Sequence, residues 1–173
     1  MLEVVGAKGK ILNVDGFLKK ISVISESYDL TIQVFDAQMI YGKAHLNSAV
    51  QHALRAMKRK TNSTNTLDKE IMLYASGERQ IKKAIPKMGV KQGCEEIALV
   101  FLKKYITFND KISDDILKII LNQLDLKHDD TVLEGNYQKL IDFGLNKDEI
   151  ETVTKDKYEF LSLEKVAMVD VIK

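Results

Sequence analysis

FDAQMIYGKAHLNSAVQHALRAMKRKTNSTNTLDKEIMLYASGERQIKKAI, residues 35–85, carries three helical periods in a row. After Gly42, the apolar residues Leu46, Ala49, Val50, Ala53, Leu54 and Met57 recur at steps of three and four. That spacing predicts a helix from Lys43 to about Lys60 with one buried stripe. Asn62–Thr66 is polar and reads as a loop, with Asn65 or Thr66 as the next N-cap. Leu67–Ala75, with Ile71, Met72 and Tyr74, reads as a second helix stopped by Gly77 in the left-handed conformation. A third runs from Glu78 to about Lys87, its inward residues Ile81, Ala84, Ile85 and Met88. Pro86 removes an N–H near its end, and Gly89 closes it.

The same stretch is electrostatically one-sided. No Asp or Glu occurs from Lys43 to Leu67, whereas Lys43, Arg55, Lys58, Arg59 and Lys60 are all basic. Basic residues resume at Arg79, Lys82, Lys83 and Lys87. Cations favour a helix C-terminus because they complement the macrodipole. That accounts for one or two of these charges and not for the absence of acids over a whole helix and loop. His45, Ser48, His52, Arg55 and Arg59 also recur at three and four, which predicts an outward line on a different face from the stripe. The counterpart lies between Thr107 and Glu151, where eleven acids, Asp110 among them, face five lysines. With a net charge of only +1, this asymmetry points to a polyanion on one face and a different partner on another.

Outward from this stretch the chain alternates strands and helices. Leu2–Val5 and Lys10–Val14 are short β-like runs separated by Gly6 and Gly9, expected as a small hairpin or two edge strands. Asp15 caps an expected helix to about Ser25, with Phe17, Leu18, Ile21 and Ile24 inward and Lys19 and Lys20 outward. Leu30–Phe35 alternates as a strand, and the continuous apolar run Glu96–Leu102 predicts a central strand buried on both faces. Ser113 caps an apolar helix, Ile116–Leu124; Leu124–Glu134 is an acidic connector. Tyr137–Phe143 and Lys147–Val153 are short helices split by Gly144. Residues 160–172 are expected as a docked helix capped by Ser162, with Leu163, Val166, Ala167 and Val169 inward. A length of 173 residues predicts one domain, 1–173, able to bury a real core.

Several function classes are disfavoured. There is no apolar run of membrane-spanning length and no signal-peptide pattern at the start. A lone Cys94 fits a reducing, cytoplasmic setting. The GAKGK loop at residues 6–10 is too short for a phosphate loop, and Ile11 stands where a Mg²⁺-binding hydroxyl would follow. His45 and His52 are seven apart, too far for an i, i+4 metal pair, so neither a metal nor another cofactor is expected. Nothing assembles a nucleophile, a base and an orienting group, and the chain reads as non-catalytic.

Two separated blocks then carry a family resemblance. Phe35, Asp36, Ala37, Ile40, Gly42, His45, Leu46 and Ala49 form the first; Tyr74 and Ser76-Gly-Glu-Arg-Gln-Ile81 form the second. In order and spacing, over roughly residues 30–103, the chain resembles the small kinase-binding accessory subunit of the KEOPS complex, in its archaeal form. The resemblance implies an α+β fold: a small mixed or antiparallel sheet with helices packed against it. It implies no enzymatic activity and no cofactor. It implies a non-catalytic subunit that binds the complex's small atypical kinase/ATPase and is a monomer outside the complex. It further implies a role in threonylcarbamoyladenosine modification of tRNA, with recruitment of tRNA through its single-stranded CCA 3′ end.

On that implication the expected RNA-binding residues are His45, His52, Arg55, Lys58, Arg59, Lys60, Gly77, Arg79, Lys82 and Lys83. Phosphodiesters need the cations. Tyr41, Tyr74, His45 and His52 are the flat groups on which bases could stack, Tyr74 being equally a core residue. In the alternative, an adaptor that regulates the kinase without touching RNA, the basic run is a solvated face. The apolar Leu145, Ile150 and Val153 of the acidic half are then the expected kinase contacts. A DNA-reading helix-turn-helix over Leu67–Met88 is disfavoured by Pro86 near the end of its second helix and by Glu78 beside its basic face. Neither DNA nor membrane is an expected partner.

Overall fold

The longest apolar run in the chain, Glu96–Lys103, becomes the strand on which the sheet is built. The computed structural model describes residues 2–103 and 112–171. Asp110 and Ile172, used above, lie outside them. By contact the chain divides into two compact units. A sheet unit comprises Met1–Ala37 and Val90–Val132, and a helical unit comprises Gln38–Gly89 and Leu133–Lys173. The described residues form an α+β fold.

In the sheet unit, β1 (Leu2–Lys8), β2 (Leu30–Asp36), β3 (Glu96–Lys103) and β4 (Lys127–His128) pair antiparallel in the order β2-β3-β1-β4. The registers place Val5 opposite Leu99 and Leu99 opposite Val34, then Phe101 opposite Ile32. These cross-strand layers are the side-chain pairs that stabilise a sheet. Helices α1 (Val14–Ser27) and α5 (Asp114–Gln123) close that face with Phe17, Ile21, Ile24, Ile120 and Leu121 in one core. β3 is buried on both faces, as its unbroken apolar run predicts. Ser113 caps α5, its Oγ accepting from the Ile116 N–H at 3.3 Å.

Three expectations in this unit fail. Residues 2–5 and 10–14 do not form a hairpin. β1 runs through Gly6 to Lys8, and the next residues bond to the segment entering β3: Gly9 N–H to Glu95 O and Ile11 N–H to Cys94 O, both 3.0 Å. The α1 cap is Asn13, which accepts from the Gly16 N–H at 2.8 Å, so Asp15 lies inside the first turn. Leu18 faces outward, 44% exposed.

Gly6 is required by packing rather than by a turn. β4 pairs with β1 only at Ala7 and Lys8, so the ladder stops short of Gly6. The Gly6 N–H instead donates to Asp130 Oδ1 at 2.8 Å, and its carbonyl accepts from Asp129 N–H at 2.9 Å. This double contact brings the 129–130 backbone so close that a Cβ on residue 6 would lie 2.6 Å from Asp129 O.

The helical unit comprises α2 (Gly42–Arg59), α3 (Leu67–Ser76), α4 (Ile81–Met88), α6 (Tyr137–Phe143), α7 (Lys147–Glu151) and α8 (Tyr158–Val171), with the segment Glu70–Ser76 of α3 buried. α2 packs on α3 and α8, and α3 also packs on α4 and α8. Both glycine stops are as expected: Gly77 at φ +67 and Gly144 at φ +107. Each closes a paired bond set, Gly77 N–H to Tyr74 O with Glu78 N–H to Leu73 O, and Gly144 N–H to Ile141 O with Leu145 N–H to Leu140 O. α4 begins at Ile81 rather than Glu78, because the Glu78 N–H is engaged in that closure and by Ser76 Oγ at 3.2 Å. Leu54, Ile85 and Ala167 face outward, and Ser162 is a buried mid-helix residue whose hydroxyl donates to Glu159 O, not a cap.

Replacing Gly6 with Ala is expected to destabilise the fold by about 1–3 kcal/mol through overpacking. Urea unfolding followed by circular dichroism measures it; a midpoint equal to wild type would show that the 129–130 backbone yields freely.

Candidate functional site

α2 delivers its basic end to solvent by backbone geometry. Lys60 takes the left-handed conformation at φ +57, with its N–H on Met57 O and the Thr61 N–H on Ala56 O. The helix therefore ends at a sharp turn made by a lysine, not a glycine. Arg55, Lys58, Arg59 and Lys60 are all exposed around that end. The last carbonyls carry the negative end of the helix dipole, which offsets part of the mutual repulsion of the cations.

The following loop is held from within. Glu70 is fully buried, and its Oε2 accepts from Ser63 N–H at 3.0 Å, Thr64 N–H at 2.9 Å and the Thr64 hydroxyl at 2.8 Å. Asn62 Nδ2 donates to Thr64 O at 2.8 Å. A buried carboxylate satisfied by backbone donors orders residues 62–66 directly after the basic helix end.

On α4 and the turn before it, Arg79, Lys82 and Lys83 are exposed. Lys87 is not part of this set. Its Nζ donates to Ser76 O at 2.7 Å, lies 3.7 Å from Glu78 Oε1 and stands 4.3 Å from the Phe143 ring centroid. Burial lowers its pKa. Gly77 is half-buried, and its positive φ is used to end α3.

The outward line is corrected at His45, which has no exposed surface. Its Nδ1 accepts from Tyr41 N–H at 3.3 Å, its Nε2 donates to Ala75 O at 2.8 Å, and its ring meets Phe143 edge-on at 5.0 Å. Burial pushes its pKa down to about 4. From this position His45 cannot touch a ligand. Its spacing with Ala49, Ala53 and Ala56 puts it on the alanine edge of the buried stripe. Tyr74 is likewise core; its hydroxyl donates to Asp170 Oδ1 at 2.5 Å, and burial followed by that carboxylate pushes its pKa up. Tyr41 is half-buried, with its ring packed over Gly135. His52 stays at the surface, partly covered, with Nδ1 2.7 Å from Asp170 Oδ2.

The expected kinase contacts are also corrected. Leu145 and Ile150 are 3% and 0% exposed. Leu145 follows Gly144 at the position where a helix stop turns an apolar side chain inward. Val153 is half-buried. The apolar surface that the unit offers instead is the outer side of α8. Phe160, Met168 and Val171 are exposed there, within about 80° of one another around the helix at 3.6 residues per turn, while Leu161, Val166 and Val169 face inward. A helix apolar on two sides needs cover on both. The sequence reading missed this stripe because it assigned one inward face and stopped. It also missed Glu70 and Asp170. Glu70 had a local signal, an acid in the first turn after a run of loop donors; Asp170 had none.

Among the described residues no group of three or more His, Cys, Asp or Glu could hold a metal ion. No helix among them is long and apolar enough to cross a membrane.

Residues 10–167 match the family model described as kinase binding protein CGI-121. The chain belongs to this family. It is similar to the regulatory protein Cgi121 of Methanocaldococcus jannaschii, 34% identical over 95 residues, which is 52% of this chain and 62% of that protein. The match therefore spans less than two thirds of that relative's length. The motif blocks at 35–49 and 74–81 lie within the CGI-121 match. In the structure, several of their residues are fully buried: Phe35, Ala37, Ile40, His45, Leu46, Ala49 and Tyr74.

The neutral, buried His45 sets a pH dependence. Its folded pKa of about 4 lies below the ordinary value of 6.5, so the unfolded chain binds more protons between those limits. Its contribution is complete above about pH 6.5 and is lost as pH falls through about 4, a difference on the order of 3 kcal/mol. Urea unfolding of wild type and His45→Gln between these pH values checks it. The variant is expected to lose the steep part of the acid limb.

Proposed function

We propose that this chain is a non-catalytic, cytoplasmic subunit that binds a protein kinase and brings a tRNA to it through the tRNA's single-stranded 3′ CCA end. The kinase half of the reading is supported by the family's description as kinase-binding and by the name of its archaeal relative, a regulatory protein. With Leu145 and Ile150 in the core, the outer stripe of α8 becomes the docking surface, since Phe160 is 60% exposed and Val171 74%. Large exposed apolar and aromatic side chains are the usual anchors of protein interfaces. The partner by resemblance is the small atypical kinase/ATPase of KEOPS, and the process is threonylcarbamoyladenosine modification of tRNA.

The observation that carries the RNA half is the exposed cation set at the end of α2, in a segment with no acid from Lys43 to Leu67. Arg55, Lys58, Arg59 and Lys60 would neutralise phosphates, and the exposed Arg79, Lys82 and Lys83 of the same unit add to the positive field. The 62–66 loop, ordered by Glu70, supplies polar side chains beside this end, suited to base edges of a single strand.

Charge reversal of Arg55, Lys58 and Arg59 to Glu is expected to weaken tRNA binding at least about tenfold and to flatten the salt slope by about two units. Filter binding of intact tRNA and of tRNA trimmed of its CCA end measures both. Equal affinity for trimmed and intact tRNA would refute 3′-end recruitment. Phe160→Asp with Met168→Asp is expected to abolish co-purification with the kinase and to leave tRNA binding intact. Retention of the kinase by that variant would remove α8 as its dock.

A further inference from the structure

The acid that the sequence reading missed, Asp170, holds the one surface histidine of the helical unit. His52 Nδ1 is 2.7 Å from Asp170 Oδ2, and the other carboxylate oxygen accepts from the Tyr74 hydroxyl. Beside the carboxylate, Nδ1 is the donor, and the neutral ring then has a bare Nε2. Among the described residues, none hydrogen-bonds His52 Nε2. No described buried side-chain nitrogen lacks a partner, so Nε2 keeps some solvent contact on a side chain that is 15% exposed. On α2 the ring is followed at three and seven residues by the exposed Arg55 and Arg59, which places all three on one helix face.

Three elements bring charged or titratable side chains to the neighbourhood of the ring. α8 contributes Asp170; α3 contributes Tyr74, with Glu70 further along; α2 contributes Arg55. Tyr74 is neutral at physiological pH, since burial raises its pKa. The Tyr74 ring lies 5.4 Å from that of His52 and backs it from the protein side. The imidazole is therefore held with one nitrogen on a carboxylate and lies on the helix face that carries Arg55 and Arg59.

We propose that His52 is a proton-linked phosphate ligand of the RNA site, positioned by Asp170. The proposal rests on the RNA reading above. An RNA phosphate arriving at Arg55 and Arg59 puts a second anion at Nε2. An imidazole between two anions holds a proton on each nitrogen, so binding takes up a proton from solvent. The proton goes to Nε2, which then donates to a phosphate oxygen. Affinity must rise as pH falls, and this linkage must vanish when the ring is replaced or its neutral tautomer is reversed. Asp170→Asn does the latter. The Asn Oδ1 still accepts from Tyr74, its NH₂ donates to Nδ1, and the neutral ring carries its proton on Nε2 already.

The test measures binding of the full-length protein to a hairpin RNA ending in single-stranded CCA, at fixed ionic strength. Wild type is expected to bind about three- to tenfold more tightly near pH 6 than near pH 8. His52→Gln and Asp170→Asn are expected to bind with a nearly flat profile. His128→Gln, in the sheet unit, is the control and retains the wild-type slope. Thermal melts establish that each variant is folded. If wild type and both variants share one slope, this inference is overturned while the RNA reading stands. If wild type does not bind the RNA at all, both fall.

Discussion

One neutral imidazole organises the helical unit. His45 receives the Tyr41 N–H, gives its own N–H to Ala75 O and packs edge-on against Phe143, so α2, α3 and α6 meet at a single side chain. The fit depends on one tautomer, with Nε2 protonated and Nδ1 bare. A buried polar group is tolerable only when each of its hydrogen-bonding atoms is satisfied, and here both are. Protonation would turn an acceptor into a donor facing an N–H, which is why burial holds the ring neutral. The rest of the unit follows from this point. The 70–76 segment of α3 runs buried past it, and α2 is oriented so that its alanine edge faces in and its cations face out.

Carboxylates are used twice more in the same unit, one buried and one exposed, each time to arrange surface. Glu70 reaches from the core to hold the backbone of residues 63–64. Asp170 joins α8 to both α2 and α3 through His52 and Tyr74. In all three cases a hydrogen-bonded polar side chain fixes what the exterior presents: the direction of the basic helix, the shape of the loop after it, and the orientation of an imidazole. Flexible lysine and arginine side chains alone give a diffuse positive field; rigid neighbours give that field a defined shape.

Much of this was legible in the residues. Gly77 and Gly144 stop helices as their positions suggest, and Ser113 caps α5. The unbroken run at 96–102 is a strand buried on both faces. What was not legible depends on partners far along the chain. Gly6 looked like a turn residue, and only the arrival of Asp129 and Asp130 explains it as strand. His45 shares a three-and-four spacing with His52 and with Ala49, and periodicity alone does not say which face is buried. Leu145 and Ile150 looked like surface because their segment is acidic, yet each is the apolar residue that docks a short helix. The basic set was visible from composition; its backing carboxylates were not, because Asp170 lies 118 positions from the histidine it holds.

That separation has a kinetic side. The helical unit is assembled from two segments, with residues 90–132 of the sheet unit threaded between them in sequence. Helical proteins ordinarily fold fast because their contacts are local. Here α2 and α3 gain their cover from α8, and the His52–Asp170 contact must close a loop that includes strand β3 and all of α5. Loop closure of that span carries its entropic cost before any contact offsets it. A mostly helical unit thus carries the kind of non-local contacts that ordinarily slow the folding of β-proteins. Its basic face is complete only once the last helix has docked.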